Sequence, residues 1–318
     1  VSRRRQTDPA LLLDAARDGD RAATARLLTM IETGGDSARA VGRLAHPLGG
    51  QSITVGITGA PGAGKSTLTS AVVSVVRATA APVAVLAIDP SSPFSGGAIL
   101  GDRVRMGDHT LDEGVFIRSM ATRGHLGGLT LATPAAIRLL DALGYPWVLV
   151  ETVGVGQVEV EVAGAADTTV VVVNPGWGDS VQANKAGLME IADVFVINKA
   201  DRPGAAETRR DLDQMLDLGI ERADGWRPPI VDAVAVKGEG AAETWSAVEA
   251  HGAHLESSGE LERRRAARLR EELVQIATEL LRERASNLQS SEQLEAMRVE
   301  VAARRIDPWS AAEQLLAD

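Results

Sequence analysis

Ile53-Thr54-Val55-Gly56-Ile57-Thr58-Gly59-Ala60-Pro61-Gly62-Ala63-Gly64-Lys65-Ser66 is the stretch whose reading decides the fold. An apolar run enters a glycine-rich loop, and Leu68, Ala71, Val72, Val75 and Val76 then recur at helical spacing. Strand, glycine loop and helix in this order make a phosphate-binding loop. Gly59, Gly62 and Gly64 let the backbone curl so that successive N–H groups point at anionic oxygens, and the positive end of the helix adds to that field. Lys65 is expected to reach the β- and γ-phosphates, Ser66 to ligate Mg²⁺ through its hydroxyl, and Thr67 to lie near the α-phosphate. The full pattern, Gly59, Ala60, Pro61, Gly62, Ala63, Gly64, Lys65 and Ser66, outweighs the plainer reading of a glycine turn between a buried strand and a helix. A nucleoside triphosphate is the expected ligand.

Composition narrows the class. The chain has 318 residues, more than one compact core usually covers, so a large domain with appendages is expected. Apolar residues make up 45% but aromatics only 3%, so alanine, valine and leucine must fill the interior. A net charge of −10 argues against general affinity for nucleic acid or anionic membranes. The absence of cysteine removes disulfides, thiolate metal sites and thiol nucleophiles, and fits a reducing cytoplasm. No apolar run approaches the roughly 20 residues that span a bilayer. Arg3-Arg4-Arg5 is followed by no signal-like apolar core, so a cytoplasmic location is expected.

Three regions follow from the pattern along the chain: 1–49, 50–252 and 253–318. The first reads as small helices. Asp8 caps one that has Pro9 in its first turn, a second runs from Arg21 to Glu32, Gly34-Gly35-Asp36 ends it, and His46 to Gly50 is a linker. In the middle region seven apolar runs alternate with helical stretches: Ile53–Thr58, Val83–Ile88, Val115–Arg118, Trp147–Glu151, Thr168–Val173, Val194–Asn198 and Ile230–Val236. They are apolar throughout rather than alternating, as strands covered on both faces should be, which implies crossover connections and a mainly parallel α/β sheet. Ligands of such sheets bind at the carboxyl ends of the strands, and Gly59, Asp89, Glu151, Asn174 and Asn198 each fall at or just after such an end. The last region is a charged helix carrying Leu269, Leu273, Ile276 and Leu280 as one stripe, then two shorter helices. The stripe must pack on its own chain or on a partner. The five histidines show no metal spacing, and His251 and His254 read as a surface pair on a polar linker.

Asn198-Lys199-Ala200-Asp201 ends a buried strand downstream of the phosphate loop. Asp201 can accept hydrogen bonds from guanine N1–H and its 2-amino group; adenine has neither donor and would oppose the carboxylate with an acceptor. Asn198 is expected to brace the loop and the Lys199 stem to lie along the base. Val234-Ala235-Val236 occupies the place where a backbone N–H meets guanine O6. Glu151, ending an apolar strand, is the expected holder of Mg²⁺ or its waters, and Gly154 is placed to offer its N–H to the γ-phosphate. Asp89 ends another strand within a turn-like Asp89-Pro90-Ser91-Ser92-Pro93. Asp102, after Ser95-Gly96-Gly97, is a candidate for Mg²⁺ or the attacking water, and Gln157, beyond Gly154, for positioning that water.

With these residues in view, the chain resembles the MeaB/ArgK family of GTPases, bacterial counterparts of the human methylmalonic aciduria type A protein. Besides the phosphate loop and Asn198–Asp201, the runs that carry the resemblance are 87–93, 96–103, 118–124, Glu151-Thr152-Val153-Gly154-Val155-Gly156-Gln157 and Asp307-Pro308-Trp309. The resemblance covers nearly the whole chain. It implies a P-loop G domain with helical extensions at both ends and a homodimer formed through the C-terminal one. It implies a chaperone of an adenosylcobalamin-dependent methylmalonyl-CoA mutase or a related acyl-CoA mutase, gating cofactor loading from an adenosyltransferase and protecting or reactivating the mutase, with no cobalamin bound by this chain itself. By the same resemblance Ser66, Asp89, Asp102 and Glu151 surround Mg²⁺, and Asp179, Gln182 and Lys185 belong to a switch that signals GTP or GDP to the partner. Val234-Ala235-Val236 departs from the Ser-Ala pair frequent in relatives. The rival classes are a P-loop kinase or ATPase of a small-molecule or transport system, a metallochaperone GTPase, whose cysteine and histidine ligands are missing here, and a scaffold that binds nucleotide without hydrolysis.

Overall fold

The computed structural model describes residues 8–89, 107–109, 111–121, 128–152, 164–176, 190–218, 224–288 and 292–317. The chain divides into two compact units, Val1–Ala266 and Ala267–Asp318. In the first, helices α1 (Pro9–Arg17), α2 (Arg21–Thr33) and α3 (Gly35–Ala45) precede the alternating core. That core runs β1 (Ile53–Gly59), α4 (Lys65–Ala78), β2 (Val83–Asp89), β3 (Val115–Ala121), α5 (Gly128–Ala142), β4 (Trp147–Thr152), β5 (Thr168–Val173), β6 (Val194–Asn198), α6 (Ala205–Leu218), β7 (Ile230–Ala233) and α7 (Ala241–Ser258). Helix α8 (Glu260–Leu288) begins in this unit.

The seven strands form one sheet in the order β3-β2-β4-β1-β5-β6-β7, with every neighbouring pair parallel. Alternate residues face opposite sides, and both sides are buried. On β2, Val83 and Val85 join the cluster under α4 and α7, whereas Ala84, Leu86 and Ile88 join the one under α1, α2, α3 and α5. On β6, Val194 and Val196 face the first of these layers, while Phe195 and Ile197 pack with Leu212 of α6. Two covered faces explain the unbroken apolar runs: each fully buried Val, Leu or Ile contributes about 1.5–3 kcal/mol only if it is shielded on its own side.

Several sequence expectations need correction. The helix that ends at the glycine pair 34–35 is followed by a third helix that the sequence reading did not name. Gly34, at φ 76°, ends α2 and at once starts α3, whose Val41 and Ala45 are buried. β7 stops at Ala233 rather than running to Val236, because Ala235–Lys237 form a 3-10 turn closed by Gly238 at φ 75° and by a bridge from Val234 to Glu239. β3 continues past Arg118 to Ala121, paired with β2 throughout. His251 is not a surface residue. It lies on α7, fully buried, with Nδ1 2.8 Å from Thr168 Oγ1 and Nε2 3.3 Å from Asp193 Oδ1, its ring against Trp226. Residue 252, where the change of composition placed a boundary, falls inside α7.

The second unit contains the rest of α8, α9 (Glu292–Ala302) and α10 (Pro308–Ala317). Asp307 caps α10 by accepting from the N–H groups of Trp309 and Ser310. Leu269, Leu273, Ile276 and Leu280 are 48, 59, 38 and 46% exposed, so the stripe is uncovered in the single chain. No helix among the described residues is long and apolar enough to cross a membrane.

Candidate functional site

The phosphate-loop candidates sit at the carboxyl end of β1, the strand with β4 on one side and β5 on the other. This is the point at which successive crossovers leave in opposite directions and open a crevice. Gly59 turns out of β1 at φ 135°, and a Cβ there would lie 2.0 Å from the Val172 carbonyl oxygen of β5. Only glycine lets the loop leave so close to the neighbouring strand. Ala63 is fully buried, Pro61 and Gly62 are exposed, and Gly64, at φ 91°, precedes the first turn of α4. Lys65 opens that turn, nearly buried, and donates from Nζ to the carbonyls of Gly59 at 2.5 Å and Ala60 at 3.2 Å. Its ammonium is thereby held inside the loop it is expected to serve. Thr67 is half-buried in the same turn.

Ser66 Oγ donates to Glu151 Oε1 at 2.5 Å, so the loop and the end of β4 meet. Glu151 is 1% exposed and Ser66 9%. A hydroxyl and a carboxylate, side by side and shielded, are the hard oxygen donors that suit Mg²⁺. Among the described residues no group of three or more His, Asp or Glu gathers to hold a metal. The backbone of Asp89 ends β2 opposite Ala121, two registers beyond the Ala87–Glu151 pair. Asp102, Gly154, Gln157, Asp179, Gln182 and Lys185 lie outside the described residues.

Asn198 joins the base-reading candidates to the phosphate loop. It is 3% exposed at the end of β6. Its Nδ2 donates to the Ala63 carbonyl at 2.8 Å and reaches that of Gly64 at 3.5 Å. Its Oδ1 accepts from the Lys199 N–H at 2.9 Å and the Ala235 N–H at 3.1 Å. One amide therefore ties three segments: the loop after β1, its own loop, and the turn after β7. Lys199 adopts φ 60° and sends Nζ back to the Gly62 carbonyl at 2.6 Å. The Ala200 N–H donates to the Ala233 carbonyl, which fixes the loop that presents exposed Asp201. In the third segment Val234 and Ala235 are buried, while Val236 is 81% exposed.

The sequence reading missed one contact at this edge, a hydrogen bond between Thr58 and Thr152. A polar residue closing each of two apolar runs was the available signal.

The family model described as methylmalonyl Co-A mutase-associated GTPase MeaB matches residues 24–290. A Pyrococcus abyssi protein named as a GTPase is 49% identical over 309 residues, covering 96% of this chain and 95% of that one. The GTPase ArgK of Escherichia coli is 38% identical over 253 residues, covering 77% of this chain and 76% of its own. A crystal structure titled LAO/AO transport system kinase superposes with a TM-score of 0.72 at 28% identity, covering 96% of both chains. Parallel sheet, phosphate loop and helical extensions agree with these relatives, and the chain belongs to the MeaB family of P-loop GTPases.

Proposed function

We propose that this protein binds GTP and GDP at the carboxyl edge of its sheet, hydrolyses GTP slowly by itself, and serves as a chaperone of an adenosylcobalamin-dependent methylmalonyl-CoA mutase or a related acyl-CoA mutase. The observation that carries the nucleotide reading is the Asn198 amide, which bonds the phosphate loop and the guanine-reading loop into one unit. Asp201 then accepts guanine N1–H and the 2-amino group, and the turn at Val234, Ala235 and Val236 closes over O6.

Ser66 and Glu151, with Asp89 and Asp102, are the residues that would hold Mg²⁺, whose charge offsets that of the β- and γ-phosphates. In hydrolysis water adds in line to the γ-phosphorus, the bond to the β,γ-bridging oxygen breaks, and GDP leaves with that electron pair. The water's protons stay with the phosphate or pass to solvent. Lys65 and the loop N–H groups stabilise charge on the bridging and γ oxygens. Asp102 and Gln157 are the proposed positioners of the water. The phosphate loop, residues 59–67, contains no arginine and no obvious arginine finger stands in the motifs, so turnover is expected to be slow until a partner is engaged.

The chaperone role rests on membership of a family described as mutase-associated. Asp179, Gln182 and Lys185 are the proposed signalling switch. The exposed Leu269, Leu273, Ile276 and Leu280 support a homodimer through the region after 252, with 1–49 and 50–252 as helical extension and G domain. Cobalamin would belong to the mutase and its adenosyltransferase. Co-purification with a methylmalonyl-CoA mutase, with phosphate release from GTP and from ATP assayed with and without it, tests the reading. GTP-specific release that rises with the mutase is expected. ATP turnover at the same rate would instead favour the kinase class, and indifference to the mutase would remove the chaperone role.

A further inference from the structure

The bond between Thr58 and Thr152 has no part in phosphate or base reading as set out above. The two hydroxyls lie 3.1 Å apart, and the residues are 0% and 1% exposed. Their place in the sheet is specific. The last backbone pair of β1 with β4 is Ile57 with Glu151, so the threonines stand one residue beyond the end of that ladder. Because side chains alternate, they lie on the face opposite Glu151, in the row of Ile88, the Cα partner of Thr152 on β2. The hydroxyl bond thus carries the join of β1 to β4 one register further, where backbone pairing has ceased.

What it joins is the machinery on either side. The residue after Thr58 is Gly59, whose carbonyl holds Lys65, and the residue before Thr152 is Glu151, bonded to Ser66. The bonds Ser66 with Glu151 and Thr58 with Thr152 both link the β1 exit and phosphate loop to the end of β4. The first lies at the oxygens proposed for the cation, where a hydroxyl can ligate through a lone pair while still donating its hydrogen. The second lies on the other face of the sheet, away from those oxygens.

We propose that Thr58 and Thr152 are a positioning pair: with cation and nucleotide in the site, their mutual hydrogen bond keeps Glu151 in register with the phosphate loop. The proposal rests on the GTPase reading. Neither threonine touches the reacting atoms, so the effect should fall on turnover and cation coupling rather than on the guanine contacts.

Valine replaces threonine with the same β-branched shape and no hydroxyl, which suits both strands. In Thr152→Val and in Thr58→Val we expect kcat to fall about tenfold at saturating GTP, corresponding to about 1.4 kcal/mol. Mg²⁺ should strengthen GDP retention less than in the wild type, while GDP affinity measured without Mg²⁺ stays within about twofold. The double valine variant should be no worse than either single one, since the hydroxyls act as a unit. Thr152→Ser, which restores the bond, should recover most of the loss. If an orphaned hydroxyl unfolds a single variant, the double variant, which has none, carries the test. A folded double variant with wild-type kcat and wild-type Mg²⁺ dependence of GDP retention, whatever its melting temperature, overturns the proposal. Wild-type protein that neither binds GDP nor releases phosphate would overturn the GTPase reading itself.

Discussion

Two glycines of one loop meet different constraints, and so make different predictions. Gly59 combines φ 135° with a Cβ position 2.0 Å from a carbonyl of β5, whereas Gly62, at φ 75°, has open space around it. Gly62→Ala should therefore cost only the left-handed penalty of about 1–2 kcal/mol. Gly59→Ala must part β1 from β5 and should exceed about 4 kcal/mol or prevent folding; urea unfolding of both compares them. Asn198→Ala removes the partner of the Ala63 carbonyl and the Ala235 N–H at a buried position. It should cost on the order of 2–4 kcal/mol and weaken GDP binding at least about tenfold, read by unfolding and by titration. Glycine spacing and the Asn-Lys-Ala-Asp run were legible in the sequence because each is a local pattern. That Asn198 would span three segments was not, since 135 residues of chain separate it from Ala63. A further residue-scale test uses the only tyrosine. Burial pushes the Tyr145 phenol above its ordinary value, with the nearby Arg21 charge opposing the shift. A raised folded-state value means a stabilisation that is whole below about pH 10 and is lost as pH climbs through the folded value. Tyrosinate absorbance should therefore rise at higher pH in native than in denatured protein, and coincident curves would refute the shift.

At the scale of elements, the amino end of the sheet is held by acids that stand just before strands. Asp167 precedes β5 and is 2% exposed; it accepts from the Thr54 N–H and from Arg265 Nε and Nη2, the latter at 2.7 Å. The guanidinium is held above its ordinary value by this bond. Asp193 precedes β6 and accepts from the Thr169 N–H, from Arg264 and, across 3.3 Å, faces His251. The first turns of α8 are thereby fastened to β5 and β6. Arg265→Met leaves Asp167 without its guanidinium and should cost toward the low end of roughly 3–5 kcal/mol, because Arg265 is 32% exposed and partly screened. Adding Asp167→Asn should recover part of that loss, and equal loss in the double variant would speak against the pair. A helical charge run such as Arg263-Arg264-Arg265 gives no sign in the sequence of which residues meet buried acids. The end of β7 was missed for a related reason. Val234-Ala235-Val236 is apolar enough to extend a strand, but a bond from the Ala235 N–H to Asn198 draws it into a turn.

For the whole molecule, parallel strands followed from the unbroken apolar runs, while strand order and the packing of the N-terminal helices against the sheet did not. Leu27, Leu28 and Ile31 of α2 share one cluster with Leu86 and Val150 of the sheet, so residues 9–45 complete a face of the core. Arg118 of β3, paired with Glu32 of α2 at 2.6 Å, strengthens that attachment. The uncovered stripe on α8 belongs to the same scale. Leu273→Glu with Ile276→Glu should leave the GDP affinity of the chain intact while lowering its apparent mass in sedimentation, if copies of the chain associate through this helix.

The central claim is that an anion-binding loop at one strand tip and a guanine reader at another form a single pocket. Calorimetric titration of the purified protein with GDP and with ADP, in Mg²⁺, tests it most directly. The account predicts saturable binding of GDP and binding of ADP weaker by about 100-fold, the scale set by leaving the Asp201 carboxylate without donors. Equal affinity for the two nucleotides, or no binding of GDP, would contradict it.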